Sequence, residues 1–115
     1  MPTFKIWDVI KVPFPYTDRP VRQRRPALVV AADSLQEAHG LLWVVMITSA
    51  ENRGWAGDVE VSDLAASGLP VPSVVRPTKI ATIEARDAER IGSLPATNRV
   101  GVMERLQMVL DQATN

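Results

Sequence analysis

Short apolar runs separated by clusters of Pro, Gly, Asp and Ser fill the first 95 residues, a pattern of strands broken by turns. Val9 to Phe14 reads as a first strand, with Ile10 and Val12 facing away from Val9 and Lys11. Pro13 and Pro15 make its far end an edge or an exit from the sheet. Ala27 to Ala32 and Leu41 to Thr48 are nearly continuous in apolar residues, which predicts central strands covered on both faces. Between them, Asp33 to His39 fits a single helical turn, capped by Asp33 or Ser34 and ended by Gly40. Asp58 to Val61, Ser73 to Arg76, Lys79 to Ile83 and Arg90 to Leu94 add short strands, the middle two interrupted at Pro77. After Thr97 the period changes. Val102, Leu106, Val109 and Leu110 lie at helical spacing, predicting a helix from about Asn98 to Asp111, capped by Thr97, with that stripe in the core. Gly101 weakens it by about 1 kcal/mol relative to alanine, so packing must hold it. The pattern describes one domain over residues 1–115, mainly β (α+β), a strongly curved barrel of short strands closed by a C-terminal helix.

Composition narrows the chemistry. Hydrophobic residues make up 46% of the 115 and charged residues 23%, an ordinary globular balance. Without cysteine there is neither a disulfide framework nor a thiolate metal site, and with His39 the single histidine a zinc site is not expected. No cofactor is implied. No segment approaches the roughly 18 apolar residues of a membrane span, and the N-terminus has no apolar run fit for a signal peptide. A cytoplasmic protein is expected.

The formal net charge is zero, which argues against bulk electrostatic binding of nucleic acid. The charges are nonetheless segregated. Residues 1–30 carry Lys5, Lys11, Arg19, Arg22, Arg24 and Arg25 against Asp8 and Asp18, whereas residues 31–75 carry Arg53 against six acids. A neutral total therefore permits a local site for a polyanion. Arg25 is the strongest candidate. It precedes Pro26, which biases its backbone toward extended geometry at the head of a strand. A guanidinium so placed reads phosphate through a planar fork of donors. Arg19, Arg22 and Arg24 lie in the proline-punctuated stretch from Pro15 to Arg24, which reads as a movable cover or as solvated surface. Trp55, in the glycine-flanked segment 52–57, is a candidate for stacking on a base, with loop packing as the ordinary alternative. Trp43 alternates with Leu41, Val45 and Ile47 and is expected in the core or a dimer interface. Trp7 is expected to cover one end of the barrel.

The motifs in their order resemble the MazF/PemK-like toxins. They are Trp7-Asp8-Val9-Ile10 with Val12-Pro13-Phe14-Pro15, then Arg24-Arg25-Pro26-Ala27-Leu28-Val29-Val30, and Ile47-Thr48-Ser49. Gly68-Leu69-Pro70, Ser73-Val74-Val75-Arg76-Pro77 and Ile91-Gly92-Ser93-Leu94 before a terminal helix complete the set. The resemblance implies an SH3-like barrel, a homodimer and metal-independent, sequence-selective cleavage of single-stranded RNA. It implies attack of a ribose 2′-hydroxyl on the adjacent phosphate, leaving a 2′,3′-cyclic phosphate and a 5′-hydroxyl. A small antitoxin protein would neutralise the activity by covering the RNA groove.

Carried over onto this chain, the resemblance assigns catalytic roles to Arg25, Thr48 and Arg76. Arg25 is the expected stabiliser of charge on the phosphate oxygens. Thr48 would orient the phosphate or the 2′-hydroxyl, with Ser49 as a second donor. Arg76 would add charge or protonate the leaving oxygen, with a salt bridge as the alternative. Arg24, Ser49, Trp55 and Thr78 are the expected RNA-binding residues. Two positions depart from the family pattern. Thr78 stands where some members place an acid proposed as general base, with Asp18 a conceivable substitute, and Trp7 stands where a glycine usually precedes the first-strand Asp. The first departure keeps two alternatives open, a non-catalytic CcdB-like toxin that binds gyrase and a degenerate module that only binds antitoxin.

Overall fold

The computed structural model describes residues 3–15, 23–52 and 54–114. The chain folds as β1 (Asp8–Pro13), β2 (Arg24–Ala31), α1 (Asp33–His39), β3 (Leu41–Ser49), β4 (Val59–Glu60), α2 (Leu64–Ser67), β5 (Ser73–Glu84), β6 (Glu89–Ser93) and α3 (Ala96–Thr114). The strands form one curled antiparallel sheet in the order β4-β5-β3-β2-β1-β6, a half-barrel with α3 beside it.

The continuous apolar runs are explained by two cores, one on each face of the sheet. Ile10, Val12, Ala27, Val29, Leu42 and Val44 pack with Phe4, Phe14 and Ile83 on one side. Val9, Leu28, Val45, Ile47 and Val75 pack on the other with Leu69, Leu94 and the helix residues Val102 and Leu106. Successive strand residues point to opposite faces, so a strand buried on both must be apolar at every position.

Several boundaries differ from the pattern-based reading for identifiable reasons. The two strands expected around Pro77 are one twelve-residue strand, β5. Val45 pairs with Ile80 and Met46 with Arg76, so Pro77, Thr78 and Lys79 bulge out of the β3–β5 ladder. A bulge is where a residue without an N–H can sit in a sheet. Helix α1 ends as expected at Gly40, with φ 67, but begins after Ala32 with no side-chain cap, and Asp33 itself has φ 36. Helix α2, unforeseen, starts at Asp63, whose carboxylate accepts the Ala66 N–H at 3.0 Å, and stops at Gly68 with φ 71. Thr97 lies inside α3 rather than capping it, with its hydroxyl 3.2 Å from that of Ser62. The expected core stripe of α3 holds only in its first half. Val102 and Leu106 are buried, but Val109 and Leu110 are 46% and 52% exposed, each at the rim of an open depression between the end of the helix and the sheet.

Candidate functional site

Strands β2 and β3 deliver Arg25, Thr48 and Ser49 to one end of the sheet, where they line a pocket of about 210 Å³ with Lys11, Asn52 and Ser73. Its apolar wall is Ile47, Leu69, Pro70, Val71 and Ile91. The wall is held by a close approach of α2 to β6. A Cβ at Gly68 would stand 2.0 Å from the Ile91 carbonyl oxygen, and one at Gly92 would stand 2.3 Å from the Ser67 carbonyl carbon. Only glycine at both positions lets the segment that begins at Leu69 fold over the strand ends.

The polar side of the pocket consists of donors. Arg25 Nε is buried and has no hydrogen-bond partner among the described residues. An unpaired buried donor costs about 1–3 kcal/mol unless a ligand satisfies it, so its presence beside hydroxyl groups marks an acceptor site. Ser49 Oγ accepts the Glu51 N–H at 3.3 Å, and Thr48 Oγ1 accepts from Asn52 Nδ2 at 3.4 Å. Each hydroxyl proton therefore remains available to an acceptor in the pocket. Among the described residues, two cations and no carboxylate line this pocket. Its field favours an anion.

The other expected site residues lie elsewhere. The Arg76 side chain is 8% exposed and bound to Asp58, Nε to Oδ1 at 3.0 Å and Nη2 to Oδ2 at 2.9 Å. Its Nη2 also donates to the Asn52 carbonyl at 2.8 Å. Hydrogen bonding from Arg76 and its charge hold the Asp58 carboxyl below its ordinary range, against the opposing effect of burial. Trp55 is half-exposed, with the Arg76 guanidinium 4.5 Å and the Lys79 ammonium 5.7 Å from its ring centroid. Thr78, on the bulge, faces a separate depression against α3 lined by Gly57, Arg105 and Met108. Arg24 donates to the Lys11 carbonyl at 2.9 Å and lines a third depression with Arg86 and Arg90. Asp18, Arg19 and Arg22, with most of the expected cover, lie outside the described residues. Trp43 is 43% exposed, which removes it from the core.

Sequence reasoning overlooked Lys11, Asn52 and Asp58. Lys11 was legible as the charged member of an otherwise apolar strand. Asn52 and Asp58 were not, because their roles depend on contacts with Thr48 and Arg76 that no local pattern encodes.

Residues 5–110 match the family model for the PemK-like, MazF-like toxin of type II toxin–antitoxin systems. The chain belongs to this family. Its fold is similar to MazF of Deinococcus radiodurans, with TM-score 0.76 and 22% identity over 96% of this chain and 99% of that one. The Mycobacterium tuberculosis toxin MazF-mt6 aligns with TM-score 0.69 and 26% identity, covering 90% of this chain and 96% of that one. An endoribonuclease solved with its cognate antitoxin from a mycobacterial species aligns at TM-score 0.69 and 14% identity over 92% and 93% of the two chains. No curated protein matches. Among the described residues, no helix of this MazF-like toxin is long and apolar enough to cross a membrane.

Proposed function

We propose that this MazF-like toxin is an endoribonuclease that cleaves single-stranded RNA in the Arg25 pocket. The observation that carries the reading is the buried Nε of Arg25, which has no partner among the described residues, in a pocket that those residues line with donors and no carboxylate. Family membership and the fold shared with an endoribonuclease support it. The scissile phosphate sits against Arg25, with Lys11 adding charge. The ribose 2′-hydroxyl gives its proton to solvent as its oxygen attacks phosphorus, the bond to the 5′-oxygen breaks, and that oxygen takes up a proton from solvent, leaving a 2′,3′-cyclic phosphate and a 5′-hydroxyl. Charge grows on the non-bridging oxygens during that displacement, and a fixed guanidinium stabilises it without reorganising. Thr48 and Ser49 donate to the same phosphate or orient the attacking hydroxyl. Ile47, Leu69 and Ile91 form an apolar wall for a neighbouring base or sugar.

The half-exposed Trp55 offers an indole face beyond the pocket for a further base. The toxin acts in the cytoplasm and is neutralised by an antitoxin segment that occupies the same donors. Two copies associate through the surface beside the end of α3, where Trp43, Ile80 and Leu110 leave an apolar depression of about 350 Å³.

The test is incubation of purified protein with a long RNA in EDTA, followed by mapping of the new ends. Cleavage at a recurrent short sequence, lost in Arg25→Ala, is expected. Intact RNA at high protein concentration would reject the nuclease reading and favour a toxin that acts by protein contact.

A further inference from the structure

The turn that follows β3 carries a second layer of organisation behind the pocket. Thr48 and Ser49 end the strand, and the 3₁₀ turn Ala50–Asn52 leaves it directly. That turn is anchored twice, by the Ala50 N–H on the Pro72 carbonyl at 2.8 Å and by Arg76 on the Asn52 carbonyl at 2.8 Å. Asp58 fixes the same guanidinium through two bonds, and the Trp55 ring lies against it. The amide of Asn52 reaches back to Thr48 Oγ1.

We infer that Asp58, Arg76 and Asn52 form a positioning unit that fixes the hydroxyl of Thr48, with Asn52 as its last member. The inference rests on the nuclease reading and assigns Arg76 a supporting place behind the reacting atoms. The buried guanidinium is matched by a buried carboxylate and a carbonyl, so little of its charge is free for a phosphate. Breaking that pair to contact substrate would leave Asp58 buried and unpaired. As a support, the pair keeps every bond it makes. The Asn52 carbonyl is held in place, and its side-chain Nδ2, a donor, points at Thr48 Oγ1. The Thr48 proton is thereby turned toward the pocket, where an acceptor oxygen of the phosphate would lie.

The experiment combines steady-state cleavage of an RNA oligonucleotide carrying the wild-type cleavage sequence with amide hydrogen exchange. Asn52→Ala removes an exposed side chain, so its melting temperature should stay at the wild-type value and its KM should change less than its kcat. Its kcat should fall about ten- to a hundredfold from loss of orientation. Asp58→Asn should lower kcat to a similar extent, and the double variant should lose no more than either single one, as expected of groups acting through one path. Exchange in Asp58→Asn should accelerate at residues 50–52 and 54–58 while β1 and β2 stay protected. A kcat for Asn52→Ala within twofold of wild type, or additive losses in the double variant, would overturn the inference. Unchanged exchange at those residues would do so as well. If the wild-type protein leaves RNA intact, the nuclease reading fails separately, and the exchange result still decides whether the Asp58–Arg76 pair holds the turn.

Discussion

Trp7 occupies a backbone conformation, φ 78, that side chains rarely adopt, at the position where the family pattern has glycine. Its N–H donates to the Val29 carbonyl at 2.8 Å and its carbonyl accepts from Leu94 at 2.9 Å, which ties β2 and β6 around the turn. The ring packs on the core beside Leu94 and Val102, with the Arg99 guanidinium 5.8 Å from its centroid. Burial of the indole outweighs strain of about 1 kcal/mol. Trp7→Gly should therefore lower stability by about 1–2 kcal/mol in urea denaturation, despite restoring the family residue. Asp58 gives a second residue-scale prediction. Its carboxyl titrates below its unfolded value, held down chiefly by Arg76, so its contribution to stability is present at neutral pH. That contribution disappears as pH falls below about 4. Asp58→Asn should cost about 3 kcal/mol at pH 7, because it leaves a buried guanidinium uncompensated. The gap from wild type should shrink steadily toward pH 3 in denaturation curves. Arg25 was legible because Pro26 and the following apolar run give it a local signature. Arg76 was ambiguous because its partner lies 18 residues away in the chain.

At the scale of elements, local rules succeeded wherever burial was continuous and failed where tertiary pairing overrode them. The β2 and β3 segments were readable since two cores demand apolar residues at successive positions. Pro77 looked like the end of a strand, yet β5 passes through it because the bulge removes residues 77–79 from the ladder. Helix α2 escaped notice at four residues, although Asp63 and Gly68 flank it as start and stop signals. Its importance lies in its contact with β6. Gly92→Ala would drive a methyl group into the Ser67 backbone, and Ile91 beside it lines the pocket. We expect a loss of about 2 kcal/mol in stability and a raised KM for RNA, read from urea curves and steady-state kinetics on one preparation.

Across the whole molecule, the donor pocket and the exposed apolar cluster of Trp43, Ile80 and Leu110 occupy different places. The pocket lies at the strand ends, whereas these three side chains are exposed where β3 and β5 meet the end of α3. Ile80→Glu should convert a dimer to a monomer in sedimentation velocity while leaving the thermal transition within a few degrees, since Ile80 is 49% exposed within one chain. A wild-type monomer at micromolar concentration would remove the proposed interface. The bulge at 77–79 has a further consequence for how this toxin can diversify. Its three residues have no partner on β3, while the pairing on either side is fixed by Arg76 and Ile80. Thr78 is exposed, and Lys79 reaches toward Trp55. Substitution at Thr78 or Lys79 can alter that surface without shifting the register of the sheet. The segment is thus a place where surface chemistry can change while the folding instructions of the barrel stay unchanged.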